Sequence, residues 1–107
     1  GVTIMPSYNK LVRDRIPEII EDSGKTAFSH ILNDDEYILE LDCKLNEECA
    51  EYQVDKSIEE LADMLEVMYS IAEARGYSVS ELEKVRKEKA EKRGGFKGKI
   101  FLEKVDD

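Results

Sequence analysis

Two pairs of acidic residues lie in the centre of the chain, Glu48 with Glu51 and Glu60 with Asp63. Each pair is spaced by three residues within a segment whose pattern predicts a helix. Residues with this spacing are neighbours on a helix surface, roughly 5–6 Å apart between Cβ atoms. If the two helices form a hairpin, the pairs converge into a cluster of four carboxylates. Such a cluster suits a hard divalent cation that takes oxygen ligands, Mg²⁺ or, as a substitute, Mn²⁺.

The position of these acids on their helices separates them from ordinary surface acids. Acidic residues make up 25 of the 107, so pairs with this spacing also arise by chance on solvated faces. At about 100° per residue, Glu48 falls at the edge of the apolar stripe of its helix, and Glu51 lies beside it. Glu60 and Asp63 lie on one of two apolar stripes of the next helix. Because carboxylates on a packing face are costly unless they are paired or bind a metal, we favour a metal site.

Capping and breaking residues predict four helices. Pro17 and Gly24 delimit a short first helix over about 16–22, and an Asn or Asp at 33–35 caps a second that runs to about 54. The segments Ser57–Glu60 and Ser80–Glu83 have the pattern of capping boxes, which predicts helices from there to Gly76 and to about 93. The tail over 96–105 alternates in character, which predicts a short strand or an arm on a neighbouring subunit.

These elements predict an all-α helical bundle that is completed by dimerisation. The third helix is apolar around more than half of its circumference, which one antiparallel partner in so short a chain cannot cover. We therefore expect a homodimer or a higher homo-oligomer. Residues 8–107 are predicted to form a single all-α domain, and residues 1–7 a disordered or vector-derived lead.

Composition excludes several classes of protein. The net charge of −9 argues against a nucleic-acid partner, and no apolar run approaches the ~20 residues of a membrane span. Cys43 and Cys49 are six residues apart on one helix, which favours neither a disulfide nor a zinc site, so we expect free thiols in the cytoplasm. The single His30 is interpreted as a structural or surface residue. No convincing Ser/His/Asp set and no GxxxxGK[ST] phosphate loop is present.

The acidic motif and both ends of the chain resemble a known superfamily. Glu47–Glu51 followed by Glu60–Asp63 resembles the EExxE…ExxD signature of the all-α nucleoside triphosphate (NTP) pyrophosphohydrolases. That superfamily includes the MazG-like proteins, phosphoribosyl-ATP pyrophosphohydrolase and the dimeric dUTPases. The segments Tyr8–Pro17 and Arg93–Glu103 resemble the ends of small phosphoribosyl-ATP pyrophosphohydrolase-like proteins.

The resemblance implies a reaction and a set of site residues. The reaction is hydrolysis of an NTP to a nucleoside monophosphate and pyrophosphate with Mg²⁺, in nucleotide-pool house-cleaning. Glu48, Glu51, Glu60 and Asp63 match the metal-binding acids of the motif, and Glu47, Glu48 and Glu51 match its catalytic acids. For Glu47 three roles stay open: orienting the attacking water, supporting a metal ligand, or none.

The substrate phosphates call for positive charge, and residues 84–99 carry eight of the sixteen basic residues. On charge alone we predict that Lys89, Arg93 and Lys97 contact the phosphates. A basic last helix also complements its own dipole and the acidic centre, which is the simpler interpretation.

Two other functions compete with this prediction. One is phosphoribosyl-ATP hydrolysis in histidine biosynthesis, which shares the motif and the reaction type. The other is a non-catalytic helical oligomer that binds a nucleotide or a protein without turning it over. The sequence does not specify the base, the sugar or the number of metal ions.

Overall fold

The computed structural model describes residues 8–107, which form four α-helices and no β-strand. They are α1 (Ile16–Asp22), α2 (Asp34–Asp55), α3 (Ile58–Ala74) and α4 (Val79–Arg93). The all-α prediction is therefore confirmed for this part of the chain. The predicted lead over residues 1–7 lies outside the described residues. None of the four helices has the length and apolar character that crossing a bilayer requires.

Local capping determines where the long helices begin. The Asn33 side chain accepts a hydrogen bond from the Glu36 backbone N–H, and the Glu36 side chain accepts one from the Asn33 N–H, so α2 opens with a complete capping box. Ser57 accepts from the Glu60 N–H and opens α3. Only two residues separate these helices, and the first of them, Lys56, takes a left-handed conformation that reverses the chain.

The start of α4 differs from the prediction. Ser78, not Ser80, is the N-cap, and its hydroxyl accepts from the Glu81 N–H. Both serines precede a glutamate by three residues, so the pattern alone does not select between them. Gly76, two residues after the end of α3, reverses the chain at φ 90°, which leaves only the next two residues to lead into α4.

The predicted strand over 96–105 is wrong. Within residues 8–107 this tail forms no strand ladder, and Phe96 and Ile100 are almost fully exposed. The alternative, an arm on a neighbouring subunit, stays a prediction.

An antiparallel hairpin of α2 and α3 forms the centre of the molecule. Among the described residues, the apolar side chains that are buried in it are Leu41 of α2 and Val67 of α3. Arg75 and Asp42 form an ion pair of 3.3 Å at the end of the hairpin opposite the Lys56 turn. α4 packs against α3 over a shorter length, and α1 makes no helix–helix contact with the rest of the described chain.

The apolar surface of α3 is only partly covered in the single chain. The stripe with Val67 packs against α2, whereas Leu61, Leu65 and Met68 on the other stripe are about 40% exposed. The radius of gyration is 19.0 Å, and the extents are 68 × 32 × 26 Å. A compact domain of this length has a radius of gyration of about 13 Å. One copy of residues 8–107 therefore buries little apolar surface for its size.

Candidate metal centre

The hairpin brings the predicted acids together at the end where α2 meets α3. One oxygen each of Glu48, Glu60 and Asp63 lie within 4.8 Å of one another, and the same holds for Glu47, Glu48 and Glu51. Glu48 belongs to both groups, so it links the acids of α2 to those of α3. Opposite ligand oxygens on an octahedral Mg²⁺ are about 4.2 Å apart. The carboxylates are therefore already close to the separation that a shared cation requires.

Glu48 is the most buried of these acids. It is 6% exposed, as expected from its place at the edge of the apolar stripe of α2. Lys44 Nζ lies 3.3 Å from its Oε1, whereas its Oε2 is buried without a hydrogen-bond partner. A buried carboxylate oxygen with no partner is costly. Glu48 belongs to a cluster of acids, where a bound cation would satisfy this oxygen.

Glu60 has the same feature on α3. Its Oε2 is buried without a hydrogen-bond partner, although Ser57 caps the helix through the Glu60 N–H. The reciprocal bond of a capping box, from Ser57 N–H to the Glu60 side chain, does not form. The Glu60 carboxylate is therefore released from the capping role that the sequence pattern suggested and lies at the cluster instead.

The local charge shifts the protonation of these acids. Burial, together with the nearby charges of Glu51 and Asp63, raises the pKa of Glu60 to about 7. Burial also raises the pKa of Glu48, with contributions from the same two neighbours and against the attraction of Lys44. Neighbouring carboxylates that raise each other's pKa repel one another when they are ionised. A cation bound between them would relieve this repulsion.

Glu47 differs from Glu48 and Glu60 because a lysine contacts each of its two carboxylate oxygens. Lys10 Nζ lies 3.0 Å from its Oε1, and Lys44 Nζ lies 3.4 Å from its Oε2. Partial burial alone would raise the pKa of Glu47, but the two lysines outweigh it and lower the pKa. Both of its oxygens are therefore engaged by protein cations.

Three cations at the edge of the cluster were not assigned from the sequence. Lys44 precedes Glu47 and Glu48 by three and four residues, so helix spacing was a usable signal for it. Lys10 contacts Glu47, and Arg13 Nη2 contacts Asp63 Oδ1 at 2.7 Å. Lys10 and Glu47 are 37 positions apart in the sequence, and Arg13 and Asp63 are 50 apart. Helix periodicity therefore could not predict either contact.

The predicted phosphate-binding residues lie away from these contacts. Lys89, Arg93 and Lys97 are exposed, and within residues 8–107 none of them forms an ion pair with the clustered acids. An open groove of about 340 Å³ does border the cluster, lined by Ala50, Glu51, Val54, Asp55 and Glu60.

Comparison with known proteins identifies one short similarity. An uncharacterized protein of Mycolicibacterium smegmatis is 60% identical to this chain over 42 residues. The match covers 39% of this chain and 43% of that protein, so the chain spans less than half the length of its relative. No protein-family model matches the chain. No solved structure matches it either.

Proposed function

We propose that this protein is a Mg²⁺-dependent nucleoside triphosphate pyrophosphohydrolase of the all-α type. The observation that carries the proposal is the pair of buried, unpartnered Oε2 atoms of Glu48 and Glu60 within a cluster of acids. The donor set consists of carboxylate oxygens alone, which favours Mg²⁺ or Mn²⁺ over softer metals. The resemblance of the acidic motif to that superfamily supplies the reaction.

The residues of the cluster have different roles in the proposed reaction. Glu48, Glu51, Glu60 and Asp63 would hold the metal. When bound, the ion supplies Lewis-acid stabilisation of the negative charge on the phosphates. Water attacks the α-phosphorus, the bond to the oxygen that bridges the α- and β-phosphates breaks, and pyrophosphate leaves. Glu51 is exposed at the edge of the cluster, and we assign it the acceptance of the proton from the water.

Of the three roles open for Glu47, support of its neighbours agrees best with its contacts. A carboxylate with both oxygens held by lysines and a lowered pKa is a poor proton acceptor. It is instead suited to hold Lys10 and Lys44 beside the cluster.

We also propose that the active form is a homodimer or a higher oligomer and that it works in the cytoplasm. The exposed stripe of Leu61, Leu65 and Met68 on α3 and the large radius of gyration support a second copy. Cys43 and Cys49 are free thiols, in keeping with a reducing compartment.

The test is release of pyrophosphate from a panel of nucleotides in the presence of Mg²⁺. The panel contains ordinary, deoxy and damaged NTPs and phosphoribosyl-ATP. We expect pyrophosphate and a monophosphate in equal amounts from at least one of them, and no product with the E48Q variant or with EDTA. Binding without product would favour a non-catalytic oligomer, and cleavage of phosphoribosyl-ATP alone would favour a role in histidine biosynthesis.

A further inference from the structure

The basic segment, residues Lys10–Arg13, crosses the α2–α3 hairpin at the cluster of acids. Lys10 reaches α2, where its Nζ lies 3.0 Å from Glu47 Oε1. Arg13 reaches α3, where its Nη2 lies 2.7 Å from Asp63 Oδ1. Asp63 has an oxygen within 4.8 Å of oxygens of Glu48 and Glu60, so the guanidinium of Arg13 lies directly beside the candidate metal centre.

The basic segment also has contacts other than these two ion pairs. Leu11 and Val12 are half-buried, and the Arg13 carbonyl accepts a 3.0 Å hydrogen bond from the Ile16 N–H at the start of α1. Pro17 stabilises that first turn.

The ion pair between Arg13 and Asp63 is exposed to solvent, so another anion can replace Asp63 as the partner of Arg13. The side chain of Arg13 is 57% exposed and that of Asp63 is 37% exposed. Exposed pairs of this type contribute little to the stability of the fold. They hold the two cations at the cluster but are weak enough to be replaced by a stronger anionic partner.

A polyphosphate needs such cations at this site. The cluster of Glu47, Glu48, Glu51, Glu60 and Asp63 repels an incoming anion, and the metal alone has to serve both the acids and the phosphates. A guanidinium binds two phosphate oxygens at once with its planar fork, whereas an ammonium acts as a point charge. Of Lys10 and Arg13, Arg13 is therefore better suited to bind the phosphates, because it contacts an acid of the candidate metal centre and carries a guanidinium.

We propose that Arg13, assisted by Lys10, binds the phosphates of the substrate and transfers to them from Asp63 when a metal occupies the acids. This inference rests on the proposed function for the identity of the substrate, but its contact is with the polyphosphate alone. It assigns to the N-terminal segment the role that charge alone predicted for Lys89, Arg93 and Lys97 near the other end of the chain.

The test measures binding of inorganic tripolyphosphate, which has no base or sugar, by calorimetry in saturating Mg²⁺. We expect R13A to bind it about 10- to 100-fold more weakly than the unaltered protein, the effect of one charged hydrogen-bonding group. R13K keeps the charge without the fork, and we expect an intermediate loss. Titration with Mg²⁺ alone should show equal or tighter binding in R13A, since Asp63 then has no competing partner.

The matched control is R15A. Arg15 lies two residues further along, but it pairs with Glu18 of α1 at 3.3 Å and not with the cluster. We expect R15A to bind tripolyphosphate like the unaltered protein. Equal binding by R13A and the unaltered protein, or no tripolyphosphate binding by the unaltered protein, overturns the inference.

Activity separates this inference from the proposed function. Loss of tripolyphosphate binding in R13A, with no pyrophosphate from any nucleotide, rejects the hydrolase and keeps Arg13 as a phosphate ligand. Pyrophosphate release with the same KM in R13A and the unaltered protein keeps the hydrolase and rejects the role of Arg13.

Discussion

Lys44 neutralises only one side of Glu48. Its Nζ lies 3.3 Å from Glu48 Oε1, and Glu48 Oε2 remains buried without a hydrogen-bond partner. Lys44 precedes Glu48 by one helical turn, so the pair is fixed by α2 itself. The surroundings of the Glu48 carboxylate, by contrast, also depend on the packing of α3, because Glu60 and Asp63 each have an oxygen within 4.8 Å of one of its oxygens. Glu48 therefore connects the stability of the hairpin with its capacity to bind a cation.

The first prediction concerns the substitution Glu48→Gln. We expect E48Q to weaken Mg²⁺ binding at least about tenfold, because it removes the carboxylate common to both groups of acids. The helical fold should persist, since Gln has nearly the same volume and avoids a buried carboxylate. Calorimetry with Mg²⁺ and far-ultraviolet circular dichroism measure the two effects.

The control for E48Q is E59Q. Glu59 is exposed on α3 and belongs to neither group of acids. E59Q should bind Mg²⁺ like the unaltered protein. If E48Q unfolds, or if E48Q and E59Q bind Mg²⁺ equally well, the acids of the cluster have a structural role and the metal centre is rejected.

The second prediction is a dependence of stability on pH in the metal-free protein. Glu60 has a pKa of about 7, raised from its ordinary value of 4.5. Between these two values the folded state binds the proton that the unfolded state has lost, so this group makes stability fall as pH rises from about 5 to 7. We expect the urea midpoint in EDTA to decrease over this range and the decrease to be smaller in E60Q.

Mg²⁺ should reverse this effect. Above pH 7 the ionised acids bind the cation, which stabilises the folded state by mass action. We therefore expect added Mg²⁺ to raise the urea midpoint more at pH 8 than at pH 5.5. An equal effect of Mg²⁺ at both pH values, or a midpoint in EDTA that E60Q leaves unchanged, contradicts the assignment of Glu60.

The third prediction compares two helix caps. Ser57 and Ser78 each accept a hydrogen bond from the backbone N–H three residues later, at 3.3 and 3.1 Å. Replacement of either by alanine should reduce the free energy of unfolding by about 1 kcal/mol. Only S57A should weaken Mg²⁺ binding, because Ser57 holds the turn of α3 that carries Glu60. Equal Mg²⁺ binding by S57A and S78A would falsify the link between the cap and the site.

The sequence was sufficient for the parts of this structure that depend on local interactions. Caps and glycines predicted α1, α2 and α3 closely, because a cap and its partner are three residues apart. Helix periodicity also separated the buried Glu48 from the exposed Glu59, Glu66 and Glu73. Ser78 was missed because Ser80 offers the same local pattern, and the choice depends on the turn before it.

Contacts between residues that are far apart in the sequence could not be predicted from local residue spacing. The pairing of Lys10 with Glu47 and of Arg13 with Asp63 depends on how the segment before α1 folds back over the hairpin. A strand at 96–105 was predicted from alternation alone, but alternation does not provide a partner strand. The acids converge because two helices meet, and sequence periodicity predicted only the face on which each acid lies.

The last prediction concerns the exposed stripe of α3, formed by Leu61, Leu65 and Met68. We expect the protein to sediment as a species of at least twice the 12.3 kDa chain mass. L65E should shift it toward the monomer, because a charge in an apolar interface loses its hydration without a partner. I31E is the control: Ile31 is 97% exposed and precedes α2, so the same charge change there should leave the mass unchanged. A monomeric unaltered protein, or equal dissociation by L65E and I31E, contradicts the assignment of this stripe as the subunit interface.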